Sequence, residues 1–145
     1  QKEVMEEIIQ KFLEETKNKK IDYIVSPEAR GFLFGTALAS QLKVGFIPVR
    51  KKGKLPPTTV ETQIDYQKEY GKDILELPKL VEKSYQNKNF YIIDDIYATG
   101  NTVKAIQKGI QNLGGNIVGT GVIINIVDLN QDKNIFSLLE VQEET

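Results

Sequence analysis

A chain of 145 residues, 40% hydrophobic and 27% charged, fits one folded domain large enough to bury a core. It contains no cysteine and no histidine, which excludes disulfides, thiolate or Ser-His-Asp catalysis, and metals held by sulfur or imidazole. A net charge of −1 offers no global attraction to nucleic acid or to an anionic membrane, and no apolar run approaches the roughly 18 residues of a membrane span. Catalysis must then rest on carboxylates, Lys, Arg, Tyr, hydroxyls and backbone amides, and any metal must be a hard, oxygen-bound ion, Mg²⁺ first. Absence of cysteine fits a cytoplasmic protein. No signal peptide precedes the first helix, and the chain begins with Gln1 rather than Met.

The first element is an amphipathic helix over 3–17, with Val4, Met5, Ile8, Ile9, Phe12 and Leu13 on one face. Ile21 to Val25 reads as a short buried strand. Gly31 to Leu42 reads as a helix buried on most sides, and Val44 to Val49 as a second strand. Residues 50–72 show no sustained period and hold a Pro-Pro pair, which predicts a long flexible loop of the kind that serves as a lid. Asp73 to Leu77 is a candidate strand, and the polar stretch to Asn89 has room for a short helix. Phe90 to Ile93 is the strongest strand signal and ends at Asp94-Asp95; Ala98 to Thr102 is a turn. A helix follows with Val103, Ile106, Ile110 and Leu113 in phase, stopped by Gly114-Gly115. Ile117 to Val127 is a long apolar strand, and Phe136 to Val141 a last short one. Strands alternating with helices predict an α/β fold, a mostly parallel central sheet flanked by helices on both faces. Ligands of such sheets bind beyond the carboxyl ends of the strands.

The segment after the strongest strand, DDIYATGNT, runs straight into a helix. Small residues Ala98 and Gly100 allow close backbone approach, Thr99 and Thr102 offer hydroxyls, and the helix N-terminus offers free N–H groups; together they suit a phosphate. Asp94 and Asp95 can accept hydrogen bonds from vicinal hydroxyls such as those of a ribose. The same residues also read as an ordinary strand–turn–helix, capped by Thr99 or Asn101, beside a solvated acid pair. After the first strand, Arg30 lies in a turn before a helix, placed for an anion or for a salt bridge to Glu28. After the second, Arg50, Lys51, Lys52 and Lys54 repel one another unless an anion neutralises them; a solvated basic loop is the plainer reading.

FYIIDDIYATGNT closely resembles the PRPP-binding motif of the type I phosphoribosyltransferases. EARGFLFG (28–35), P-x-R-K-x-G-K-L-P (48–56) and YQKEYG (66–71) resemble segments of the adenine phosphoribosyltransferases, in family order over about 21–141. The resemblance implies a single phosphoribosyltransferase domain over 1–145 that transfers the phosphoribosyl group of PRPP to adenine, giving AMP and pyrophosphate in purine salvage. Asp94 and Asp95 would hold the ribose, and Ala98, Thr99, Gly100, Asn101 and Thr102 the 5′-phosphate. Glu28, Ala29, Arg30, Arg50, Lys51 and Lys54 would bind pyrophosphate. Tyr66, Glu69 and Tyr70 would form a lid near the base, with Glu69 managing a base proton beside Asp94 and Asp95 as catalytic groups. Mg²⁺ would be held mainly by PRPP and water, the enzyme would be a homodimer, and neither nucleic acid nor membrane is an expected partner. Departures from the family pattern are Asn101 where Gly is usual, Ser26-Pro27 for an apolar or Gly pair, and Lys68 for Leu. The family's base-hood segment, resembling F-P-x-x-G-x-x-F-x-D, has no match among the 145 residues, so no base-contacting residue is assigned to it. Competing readings are a transferase for another purine base, a PRPP- or purine-sensing regulator of the same fold, and a receiver-like signalling domain.

Overall fold

In the computed structural model, residues 2–68, 71–82 and 84–143 are described. Helix α1 spans Lys2–Thr16, strand β1 Tyr23–Pro27, helix α2 Arg30–Leu42 and strand β2 Gly45–Lys51. A 3₁₀ turn at Pro57–Thr59 leads into β3 (Val60–Lys68) and β4 (Gly71–Pro78). Strand β5 (Asn89–Tyr97), helix α3 (Asn101–Asn112), strand β6 (Asn116–Ile126), a 3₁₀ turn at Val127–Leu129 and strand β7 (Phe136–Val141) complete the chain.

The seven strands form one sheet in the order β3-β4-β2-β1-β5-β6-β7. The run β2-β1-β5-β6-β7 is parallel. The hairpin β3-β4 adds on antiparallel through Arg50 opposite Glu76 and Lys51 opposite Leu75. Strand pleating sends alternate residues to opposite faces. Ile24, Tyr91 and Ile93 pack with Ile9 and Phe12 of α1 and Leu38 and Ala39 of α2. Val25, Phe90 and Ile92 pack on the other face with Val103, Ile106 and Ile110 of α3.

Only one side of α2 is buried, through Gly31, Gly35, Leu38 and Ala39. Leu33 is 59% exposed, so the expectation of a helix buried on most sides does not hold: sheet and α1 cover one face, and none of the described residues covers the other. Gly35 permits the close approach, because a Cβ there would lie 2.6 Å from the Phe46 ring. Helix α3 stops as its sequence demands. Gly114 takes φ 86° and Gly115 N–H donates to Ile110 O at 3.0 Å.

Three further expectations need correction. Residues 60–68, read as irregular loop, are a strand paired with β4 from Val60 opposite Pro78 to Lys68 opposite Gly71. Ile64 anchors that strand against Gly109 of α3. The pattern was hard to see because this edge strand buries only Ile64 fully, while Val60, Thr62 and Tyr66 stay partly exposed. Strand β5 also continues past Ile93: Asp94 pairs with Val122, Ile96 with Ile124 and Tyr97 with Asn125, so the two acids are strand residues. No helix forms among the described residues between Pro78 and Asn89.

Candidate active site

A cavity of about 570 Å³ opens at the carboxyl end of β5. All five residues from Ala98 to Thr102 line it, with Asp94 at the strand end and Tyr66, Gln67 and Lys68 from the end of β3. Gly100 sits at φ 85°, where L side chains are strained, and turns the chain from β5 into α3. The N-cap Gly100 has no side chain to cap α3, and Asn101 N–H makes only a long contact to Thr99 Oγ1 at 3.4 Å. The first-turn amides of α3 and the positive end of its dipole therefore face the cavity mouth, the arrangement that binds phosphate.

The pleat of β5 separates the two acids. Asp94 lines the cavity, and its Oδ1 accepts from Asp95 N–H at 2.8 Å. Burial first, and the neighbouring Asp95 second, push its carboxyl above the usual carboxylate range. Asp95 faces the N-terminus of α2, where its Oδ2 lies 3.7 Å from Arg30 Nη1. Arg30 is otherwise open to solvent, so this is a long, adaptable contact that an anion could displace.

Glu28 does not pair with Arg30. Its Oε1 accepts from Lys51 N–H at 2.6 Å and lies 3.5 Å from Arg50 Nε. Arg50 also stacks over the Phe32 ring at 5.7 Å. The Glu28–Ala29 peptide, in the turn between β1 and α2, is cis. The basic turn at 51–54 is shaped from below by Glu76, only 5% exposed, whose carboxylate accepts from Gly53 N–H at 3.1 Å and Gln63 Nε2 at 2.8 Å. Among the described residues Lys51, Lys52 and Lys54 have no ion-pair partner. Three exposed, unpaired cations beside Arg30 and Arg50 form a natural seat for a multiply charged anion.

The predicted ribose and phosphate residues thus converge, except that Asp95 faces Arg30 and not the cavity. Glu28, Ala29, Arg30, Arg50, Lys51 and Lys54 make a separate group outside the cavity lining. Tyr66 reaches the cavity; Glu69 and Tyr70 lie outside the described residues. Sequence reading missed Gln67, Lys68, Ile96, Tyr97, Val103, Leu129 and Glu143 as lining residues. Leu129 and Glu143 carry no local signal, since only the packing of β6, β7 and their ends brings them there.

The phosphoribosyl transferase domain family matches residues 1–139. The adenine phosphoribosyltransferase of Clostridium acetobutylicum is 46% identical over 129 residues, spanning 89% of this chain and 73% of that protein. The chain belongs to the adenine phosphoribosyltransferases. Solved structures of the family superpose on most of it. That from Thermoanaerobacter pseudethanolicus is 36% identical, with a TM-score of 0.86, over 95% of this chain and 81% of that one. That from Saccharomyces cerevisiae, bound to adenine and an imino-altritol bisphosphate, is also 36% identical, with a TM-score of 0.78, over 92% and 78%. The family expected from four motifs is therefore the family found.

Proposed function

We propose that this chain transfers the 5-phosphoribosyl group of PRPP to adenine, releasing pyrophosphate and forming AMP for purine salvage. The observation that carries the reading is the cavity at the end of β5, where Asp94 and the whole Ala98–Thr102 turn meet the uncapped N-terminus of α3. A 5′-phosphate docks on the turn and helix amides, which places the ribose hydroxyls beside Asp94. Tyr66, Ile96 and Leu129 supply flat and apolar surface in the same cavity for a purine.

Loss of pyrophosphate from C1 builds negative charge on the leaving group and positive charge on the ribose ring. Arg30, Arg50, Lys51 and Lys54 meet the first by electrostatic stabilisation. Asp94 meets the second. Burial favours its neutral form in the empty site, and a cationic sugar beside it reverses that preference. Asp95 holds Arg30 toward the site. Glu69 takes or relays the proton of the base, and the β3–β4 hairpin carrying it closes over the reacting atoms to exclude water.

The donor set suits Mg²⁺ only as a guest of the substrate. Its acids are Asp94 and Asp95, and no cluster of three acidic ligands exists among the described residues. When bound, the ion neutralises pyrophosphate charge. The chain acts as one domain, supported by its continuous sheet. A homodimer would cover the bare face of α2 at Leu33. A cytoplasmic setting is supported by the cysteine-free sequence.

The test is incubation with PRPP and Mg²⁺ plus adenine, hypoxanthine, guanine or xanthine separately, with products resolved by chromatography. AMP from adenine alone is expected. Absence of any nucleotide product, together with no calorimetric binding of AMP, would overturn the reading.

A further inference from the structure

A layer of side chains lies behind the phosphate turn, and of these only Tyr97 also lines the cavity. Asn130 Nδ2 donates to Ala98 O at 2.8 Å and is itself held by Asn125 Oδ1 at 3.0 Å. Lys104 Nζ donates to Thr99 O at 3.4 Å and pairs with Asp132 Oδ2 at 3.1 Å. The Tyr97 hydroxyl donates to the same Asp132 carboxylate. Asp132 N–H donates to Asn130 Oδ1 at 3.1 Å, which joins the two halves. The Tyr97 ring is 2% exposed and lies directly against Gly100.

A peptide unit is planar and trans, so fixing one carbonyl fixes the next amide in the opposite direction. Holding Ala98 O from behind aims Thr99 N–H away from Asn130. Holding Thr99 O aims Gly100 N–H away from Lys104. Asn130, Lys104 and Asp132 are absent from the cavity lining, whereas Ala98, Thr99 and Gly100 line it. The network thus holds the carbonyl side of the turn and leaves the amide side for a ligand. A bare turn would pay the ordering entropy of those amides on every binding event, whereas a held turn meets the phosphate already shaped.

We propose that Asp132, acting through Tyr97 and Lys104, is a positioning residue for the 5′-phosphate turn. Asp132 joins a buried ring under Gly100 to a cation on Thr99 O, so its loss frees Thr99 and Gly100 at once. This rests on the phosphoribosyl reading above, and the test separates the two.

Isothermal calorimetry would compare AMP and pyrophosphate binding in the unaltered chain, Asp132→Ala, Tyr97→Phe and the double variant. Thermal melting would confirm that each folds. The expected result is a rise of roughly five- to tenfold in the AMP dissociation constant for each single variant. Pyrophosphate, which docks on the basic group, should bind unchanged. The double variant should lose no more than the worse single one, because both cut the same link. Asp132→Glu should recover part of the loss. Unchanged AMP affinity in the single variants, or equal loss of AMP and pyrophosphate, would overturn the proposal. If Asp132→Ala does not fold, Tyr97→Phe and Lys104→Met carry the test alone. An unaltered chain that takes up no AMP overturns the phosphoribosyl reading itself.

Discussion

Replacing Gly100 by alanine tests how tightly the phosphate turn is built. Its φ of 85° is a conformation that costs an L residue about 1–2 kcal/mol. A Cβ there would also stand 2.5 Å from Cζ and 3.0 Å from Cε2 of Tyr97. That ring cannot swing aside, because it is buried and its hydroxyl is held by Asp132. Displacing a packed ring adds about 1–3 kcal/mol. The sum, about 2–5 kcal/mol, corresponds to a fall of very roughly 5–15 °C in melting temperature for a domain of this size. The assay is differential scanning fluorimetry of Gly100→Ala in two backgrounds, unaltered and Tyr97→Ala. With the ring removed, only the backbone part should remain, so the substitution should cost markedly less there. Equal losses in both backgrounds would refute the steric reasoning. An unchanged melting temperature in the unaltered background would refute the whole account of the turn.

Other consequences concern the acids and the lid. The raised Asp94 carboxyl contributes stability that is fully present below the ordinary carboxylate range and lost as pH rises through its folded value. Asp94→Asn, lacking that loss, should therefore gain in melting temperature over the unaltered chain between about pH 4 and about pH 8; a pH-independent difference would count against the shift. Glu76→Leu leaves Gly53 N–H and the Gln63 amide without their acceptor and should cost about 2–4 kcal/mol in urea unfolding. Glu76→Gln, which keeps an acceptor oxygen, should cost less than half of that. Asn101 Nδ2 donates to Gln67 O at 3.2 Å and ties the end of β3 to the phosphate turn. Asn101→Gly should speed tryptic cleavage after Lys68 by up to roughly fivefold, and an unchanged rate would show that the tie does not hold the hairpin.

The sequence was most legible where burial imposes a period. The apolar face of α1, the Val103-Ile106-Ile110 ridge of α3 and the apolar run of β6 each place an element within a residue or two of its observed bounds. Legibility fell where side chains serve something other than the core. Asp94 and Asp95 interrupt the apolar run of β5, and so hide that its backbone pairing continues to Tyr97. Strand β3 hid for the opposite reason. As a sheet edge it needs little burial, and Ile64 is its one fully buried contact. The site divided likewise. Contiguous residues of the turn could be read together, because helix entry and small side chains are local facts. The pairing of Glu28 with Arg50 and of Arg30 with Asp95 could not, since it depends on β1 lying between β2 and β5.

On the proposed function, that same strand order lets two anion sites serve one reaction. The group proposed for pyrophosphate comes from the ends of β1 and β2, and the turn proposed for the 5′-phosphate from the end of β5, with β5 beside β1 in the sheet. Neighbouring parallel strands lie about 4.8 Å apart, so the β1 end of the basic group is a direct neighbour of the β5 end in the sheet. Asp95 faces Arg30 from the strand that carries Asp94. A substrate with phosphate at one end and pyrophosphate at the other can dock both charges only when its C1 lies between them, beside the cavity that Ile96 and Leu129 leave for a flat base. Binding energy from the two ends is then directed at the bond that must break.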